Sequence, residues 1–152
     1  MGVGDANAAG FIHGGTIMKL VDEAAGLAAI RHGHSRVVTA GVDRMTFLVP
    51  VNIGDLVTFR SRVNAVWRSS MEVGVRVEAE NPRTGEIRHT NSAYLTMVAL
   101  DADGRPTAVP PLETTSPDDE RREREAQLRR RNRLAEREAV RADRAAKGED
   151  YG

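Results

Sequence analysis

Residues 7–30 read NAAGFIHGGTIMKLVDEAAGLAAI, a loop rich in Gly and Ala that runs through Gly14-Gly15 straight into a helix. At 100° per residue, Ile17, Leu20, Val21, Ala24, Leu27 and Ala28 share one broad face. Met18, Ala25 and Ala29 widen that face, which leaves only a narrow strip around Lys19 and Glu23 for water. A helix apolar over most of its circumference is wrapped by other structure. Asp22 stands on the margin of the apolar face, one turn from Met18 and Gly26. A carboxylate in that position is costly to bury unless it is paired or used.

Outward from this stretch, the chain of 152 residues has one domain's worth of length, enough for a real core. Basic and acidic residues number 22 each, so net charge gives no push towards nucleic acid. Residues 113–152 are charge-dense but balanced, and the reading places a single domain in residues 1–112 with a charged extension in 113–152. Between Asp118 and Lys147 the only large apolar residues are Leu128, Leu134 and Val140. That extension is expected to be a solvated or partner-docked helix, or partly disordered. The absence of cysteine excludes disulfides, thiolate metal sites and a Cys nucleophile. With no run of 18 apolar residues and no signal-peptide pattern, a soluble, cytoplasmic protein without a membrane partner is expected.

Residues 1–10 are too rich in Gly and Ala for a strand. After the helix, His32-Gly33-His34-Ser35 closes it, with Gly33 expected at the C′ position. Val37 to Phe47 reads as a strand that stops before Pro50. From Val57 the pattern alternates, with Val57, Phe59, Val63, Ala65 and Trp67 on one side. Met71, Val73, Val75, Val77 and Ala79 alternate with Glu72, Gly74, Arg76 and Glu78. Residues 81–85 form a hairpin loop, and His89 to Leu100 is the last strand. One helix and four antiparallel strands make an α+β fold in which the helix lies across the concave face of the sheet. Open sheet edges and a half-covered core call for partner subunits.

The string N-x-x-G-x-x-H-G-G-T-I-M-K-L-V-D-E from Asn7 to Glu23 resembles the hotdog-fold acyl-CoA thioesterases of the brain acyl-CoA hydrolase and YciA-like group. Val37-Val38-Thr39-Ala40, Val42-Asp43, Phe47, Pro50-Val51 and Gly54-Asp55 continue the likeness. Residues 68–73 (RSSMEV), 98–101 (VALD), 104–106 (GRP) and 109–112 (VPPL) complete it in the right order. The resemblance implies an antiparallel sheet wrapped around one long helix, with two hotdogs pairing to make each active site. It also implies a homodimer at least, and a hexamer built as a trimer of dimers. Family members usually carry a first strand ahead of this segment, and the sequence departs from them there.

Thioester hydrolysis needs a polarised carbonyl, an attacking oxygen and a cradle for a bulky anionic leaving group. Gly14 and Gly15 can present backbone N–H groups at a helix start, where the dipole favours a developing oxyanion, although Gly-Gly also serves close packing. Asp22 is the candidate general base or nucleophile; its ordinary alternative is an ion pair with Lys19. Asn7 reads by itself as a loop cap, and the resemblance makes it the partner of Asp22, one residue drawn from each subunit of a symmetric dimer. His13 is read as packing or substrate lining at the helix entrance. Thr39 and Ser70 can bond the pantetheine arm or the attacking water, or merely pair across strands. Arg68 with Ser69 is the best cradle for the CoA phosphates, with Ser70 and Met71 adjoining it. Arg60, Arg62 and Arg76 add charge to a polar strand face.

His32, His34 and His89 lack metal-ligand spacing, so no metal is expected. No cofactor is expected either, CoA being part of the substrate and product. The leading reading is an acyl-CoA thioester hydrolase. A hotdog hydratase or dehydratase would want a His with a carboxylate at the helix and overhanging loop, but Asn7 holds the loop position. A non-catalytic acyl-CoA sensor would need no base, whereas Asn7 and Asp22 are both present.

Overall fold

The computed structural model describes residues 1–148. One unit comprises Met1–Leu112, and a second begins at Glu113. In the first, a short 3-10 turn (Val3–Asp5) precedes helix α1 (Gly14–Gly33), which is followed by strands β1 (Arg36–Val42), β2 (Leu56–Val66), β3 (Ser70–Glu80) and β4 (Ile87–Leu100). The strands form one antiparallel sheet in the order β1-β4-β3-β2. This sheet curls around α1, which is the α+β hotdog arrangement.

Helix α1 is held by burial. Ile17, Val21, Ala25 and Ala29, spaced four apart, are its fully buried positions. They pack on Met71, Val73, Val75, Val77 and Ala79 of β3 and on Ala93, Leu95 and Met97 of β4. Each fully buried Ile or Val contributes about 1.5–3 kcal/mol. The two buried alanines let the helix backbone approach the sheet. At its end, a Cβ on Gly33 would sit 3.3 Å from Ser35 Oγ and 3.5 Å from the Met71 methyl, so glycine serves close approach there. The residue that leaves the helix in the left-handed region is His34 (φ 49°), whose N–H donates to Ile30 O at 2.8 Å. That corrects the expectation of Gly33 as the C′ residue.

Four further expectations are corrected. The helix is not wrapped on all sides by its own chain: Met18 and Ile30 are each 47% exposed and Leu27 70%. Four strands cover only one face. β1 ends at Val42 rather than Phe47: pairing with β4 resumes past a bulge between Thr39 and Gly41, and after Asp43 N–H reaches Tyr94 O the chain leaves the sheet. In β2 a second bulge at Asn64 shifts the alternation. Val63 lies opposite Val73, but Ala65 falls opposite Glu72 and Val66 opposite Met71. Ala65 therefore leaves the face of Val57 and Val63, and Val66 takes the core position. The extra Asn64 is buried with its Nδ2 donating to Glu72 Oε1 at 3.1 Å. Gly74 leaves room for it, since a Cβ there would stand 2.7 Å from that Nδ2. β4 begins at Ile87, two residues earlier than read, because the 81–85 loop closes tightly through Asn81 N–H to Glu86 O and Gly85 at φ 73°.

In the second unit, helix α2 spans Pro117–Lys147 and is built from local chemistry. Ser116 Oγ accepts from Asp119 N–H at 3.2 Å, and Asp119 Oδ2 accepts from Thr115 N–H at 3.2 Å. Pro117 opens the helix, acidic residues fill its first turn, Arg144 and Lys147 its last, and Gly148 (φ 67°) closes it. Ion pairs one turn apart, such as Arg121 with Glu125 and Arg122 with Asp118, line it. Residues 149–152 of the extension lie outside the described residues. Among the described residues no helix is long and apolar enough to cross a membrane.

Candidate active site

The loop ahead of α1 is shaped by Asn7. Its side-chain Oδ1 accepts from Ala9 N–H (2.9 Å) and Phe11 N–H (3.2 Å), while Gly10 takes the positive φ (82°) that turns the chain back. The carbonyl end of Asn7 is thus spent on the loop, which leaves the side-chain Nδ2 as its donor. Ile12, buried at 5% exposure, anchors the loop, with its N–H on Val51 O. His13 N–H bonds Asp5 O, and Phe11 pairs with Asn52.

A half-buried ion pair that the sequence reading missed holds the other side of this loop. Asp55, 3% exposed, takes Arg88 Nη2 at 2.5 Å and Asn52 N–H at 2.9 Å on the same Oδ2. In the sequence Asp55 stands out only as part of the family string with Gly54. Its partner lies 33 residues on, a separation that no motif spacing reveals.

At the start of α1, His13 is the N-cap residue and offers no side-chain cap. Its carbonyl takes Thr16 N–H (3.0 Å) and Ile17 N–H (3.3 Å). The N–H groups of Gly14 and Gly15 therefore find no acceptor among the described residues, at the positive end of a 20-residue helix. The Phe47 ring lies over Gly14, 3.4 Å from where a Cβ would stand, whereas a Cβ on Gly15 would meet nothing. Gly15 is exposed, and so is the His13 side chain. This entrance is an open pair of amides beside an aromatic wall.

Asp22 lies two turns further on and is exposed within the single chain. Lys19 does not pair with it; Lys19 faces Glu23 at 3.9 Å. Instead Thr39 Oγ1, on the edge strand β1, donates to Asp22 Oδ1 at 2.5 Å and touches Met97 Sδ at 3.6 Å. The register explains the meeting. Thr39, Met97 and Met71 lie opposite one another across β1, β4 and β3, and α1 crosses that row diagonally. Asp22 sits over Thr39, Gly26 over Met97 and Gly33 over Met71.

The remaining candidates are dispersed. Asp22 and Gly15 are separated by seven residues of helix, about 10 Å of rise, and nothing in the single chain brings Asn7 to Asp22. Arg68 and Ser69 form the turn between β2 and β3, closed by Trp67 N–H to Ser70 O. That turn is pinned through its backbone, with Val109 N–H on Arg68 O and Ala99 N–H on Ser69 O, so the exposed Arg68 guanidinium is left without a partner among the described residues. Ser70 lies in the ladder opposite Val98. Met71 is wholly buried against α1, so its side chain belongs to the core and not to a ligand cradle. Among the described residues no group of three His, Asp or Glu side chains converges as a metal site would require.

Known proteins share this architecture. A profile of the Thioesterase superfamily matches residues 9–86, about half of the chain. Protein VdlD of Helicobacter pylori is 42% identical over 108 residues, covering 71% of this chain and 62% of VdlD, so the chain spans less than two thirds of that relative's length. A crystal structure of an apo-hexameric acyl-CoA thioesterase is 38% identical with a TM-score of 0.86, covering 90% of this chain and 87% of its own. The acyl-CoA hydrolase of Staphylococcus aureus, solved with butyryl coenzyme A, coenzyme A and coenzyme A disulfide, is 30% identical with a TM-score of 0.86. It covers 97% of this chain and 90% of its own. Further structures of that hydrolase carry one alanine each, in place of an asparagine, an aspartate or a threonine. With a hotdog fold, a matching family profile and relatives of this similarity, the chain belongs to the thioesterase superfamily.

Proposed function

We propose that this protein is an acyl-CoA thioester hydrolase, releasing free fatty acid and CoA, with the chemistry carried by residues 1–112 and residues 113–152 as an extension. The observation that carries the reading is the Thr39–Asp22 hydrogen bond beside an uncapped helix start. The three residues replaced by alanine in the S. aureus hydrolase are an Asn, an Asp and a Thr, fifteen and seventeen residues apart along that chain. Asn7, Asp22 and Thr39 have the same order and the same intervals.

In this mechanism the thioester carbonyl oxygen accepts from Gly15 N–H, with Gly14 beside it, and the helix dipole favours the charge that develops on that oxygen. Asp22 takes the proton of the attacking water, or itself attacks to give a mixed anhydride that water then opens. The C–S bond breaks, the CoA thiolate leaves and is protonated, and the acid departs. Thr39 orients the Asp22 carboxylate through its hydroxyl. The Asn7 Nδ2 donates to the water or to the thioester oxygen. Because one chain holds Asn7 and Asp22 apart, each site draws Asn7 from one subunit and Asp22 from the other. A homodimer is the minimum assembly, and the hexameric thioesterase relative supports a trimer of dimers. His13 lines the entrance. Arg68, Ser69 and Ser70 receive the nucleotide end of CoA. They lie two strands from Thr39, about 10 Å across the sheet, a gap that an extended pantetheine arm can bridge.

Thiol release from a panel of acyl-CoAs of rising chain length tests the reading. Turnover of at least one chain-length class is expected, and binding of all of them without thiol release would overturn it. Single turnover in ¹⁸O-labelled water separates the two roles of Asp22, since only a nucleophile acquires label in its own carboxylate.

A further inference from the structure

The loop between β1 and β2 is fastened to the start of β4 at two points. Leu48 N–H donates to Thr90 O at 2.8 Å. From the same strand Arg88 reaches back, with Nη2 on Asp55 Oδ2 at 2.5 Å and Nη1 on Pro50 O at 3.4 Å. A bulge aims that side chain. Val77 pairs with Asn91 but Glu78 pairs with His89, so Thr90 is the extra residue. Arg88 then falls opposite Ala79, on the core side of the sheet. The side chains of Asp55 and Arg88 are only 4% and 22% exposed, so each charge depends on the other.

From the fastened loop, contacts lead to the proposed site. Asn52 N–H donates to the same Asp55 Oδ2 at 2.9 Å, and Asn52 bridges Phe11. Phe11 N–H donates to Asn7 Oδ1 at 3.2 Å, and Phe11 O accepts from Asn7 N–H at 2.6 Å. Val51 O accepts from Ile12 N–H at 3.0 Å, two residues ahead of Gly14. Phe47, next to Leu48, lies over Gly14. The loop thus touches both the segment that shapes Asn7 and the start of α1. None of these contacts involves residues 1–4.

We propose that Asp55 and Arg88 are positioning residues of the site. As a clamp across the β1–β2 loop they set where Asn7 Nδ2 and Gly15 N–H stand, without themselves touching the substrate. The effect on rate rests on the proposed hydrolysis, whereas the hold on the loop does not. A guanidinium suits the task because its rigid fork serves a carboxylate and a backbone carbonyl in fixed directions, which a lysine ammonium does not. A misplacement of about 1 Å at a catalytic donor can cost about 10²-fold in rate.

Arg88→Met alone would strand the Asp55 carboxylate, a cost unrelated to positioning. The test therefore uses the full chain with Asp55→Asn and Arg88→Met together, which removes both charges and leaves an oxygen for Asn52 N–H. Arg88→Lys serves beside it, keeping the charge but not the fork. Both variants should keep a thermal midpoint within about 5 °C of native. The double variant should lose roughly ten- to a hundredfold in kcat with KM changed by less than about twofold, and Arg88→Lys should fall between it and the native protein. Native kcat in either folded variant, or a loss carried by KM, would overturn the proposal. Amide exchange reads the same geometry without turnover. In the double variant the Phe11 and Ile12 amides should exchange at least about tenfold faster, while the Leu95 amide in the middle of β4 is unchanged. Unaltered exchange at Phe11 and Ile12 would overturn the proposal whatever the rate. Were the native chain to release no thiol, faster exchange there would uphold the clamp while the hydrolase reading failed.

Discussion

The two helices of this chain form for opposite reasons. α1 is rich in Gly and Ala, carries one exposed i,i+4 ion pair, has no side chain capping its N-terminus, and is held in place by four buried positions against the sheet. α2 is strongly polar, is capped at its N-terminus by Ser116 with Asp119 and at its end by Gly148, and is laced with ion pairs one turn apart. A helix stabilised from within closes its own N-terminus. One stabilised by tertiary packing can leave its first amides open, and an open N-terminus is what a developing oxyanion requires. On the proposed mechanism, the difference between Ser116 and His13 at equivalent cap positions is the difference between a structural and a chemical helix start.

The sharpest way to break that contrast is at Asp22. Asp22→Asn keeps shape and removes charge, so circular dichroism should be unchanged while the rate of thiol release falls by about 10²–10⁴-fold. Retained activity would reduce α1 to a structural helix like α2.

Asn7 comes next, because the proposal gives its amide nitrogen a duty apart from the cap made by its oxygen. Asn7→Ala should lower kcat by roughly 10–10³-fold and loosen the loop. Asn7→Asp keeps an oxygen that can cap Ala9 and Phe11, removes the N–H donor and adds a negative charge. If Asn7→Asp turns over like the native protein, the cap alone matters. Asn7→Ala co-expressed with Asp22→Asn should regain up to about half of native activity per heterodimer if each site draws on both chains. No recovery would place both residues in one chain's site.

A third change converts α1 into a helix of the α2 kind. His13→Asp supplies the missing cap, and its carboxylate should take the Gly15 N–H. Thermal denaturation should then show a gain of about 0.5–2 kcal/mol, with a loss of roughly ten- to a hundredfold in kcat as the acceptor and its charge occupy the oxyanion position. A gain in stability at full activity would remove Gly15 from the chemistry.

The smallest effects belong to α2. Hydrogen bonds from Arg121 and then Arg122 lower the Asp118 carboxyl from its ordinary 3.8 to about 2. A depressed folded-state value means that this support is present above about pH 4 and is lost as pH falls through about 2. Helicity of the 113–152 segment, followed by circular dichroism, should decline over that window while the sheet signal persists. Ser116→Ala should destabilise the same helix by about 1 kcal/mol, lower its helicity at neutral pH and leave thiol release untouched.

The sequence by itself determined the elements whose evidence is local. The spacing of Ile17, Val21, Ala25 and Ala29, the alternation from Met71 to Ala79, the turn chemistry of residues 81–85 and the Gly14-Gly15 entrance are all periodic or adjacent in the chain. The string around Asp22 pointed to the family for the same reason. Tertiary structure alone decided what depends on register and on distant partners. The bulges before Gly41 and at Asn64 each insert one residue and so move side chains between faces, which no alternation count foresees. The second puts Val66 rather than Ala65 on the side of β2 that packs towards α1. The sheet register carries Thr39 to Asp22 and Met71 into the core, and the folding of the β1–β2 loop brings Asp55 to Arg88. The same packing, with one face of α1 against four strands, leaves Met18, Leu27 and Ile30 open to solvent on a helix whose composition predicts burial over most of its circumference. Composition measures how much apolar surface a helix has, and only the arrangement of the strands around it decides which part of that surface is covered.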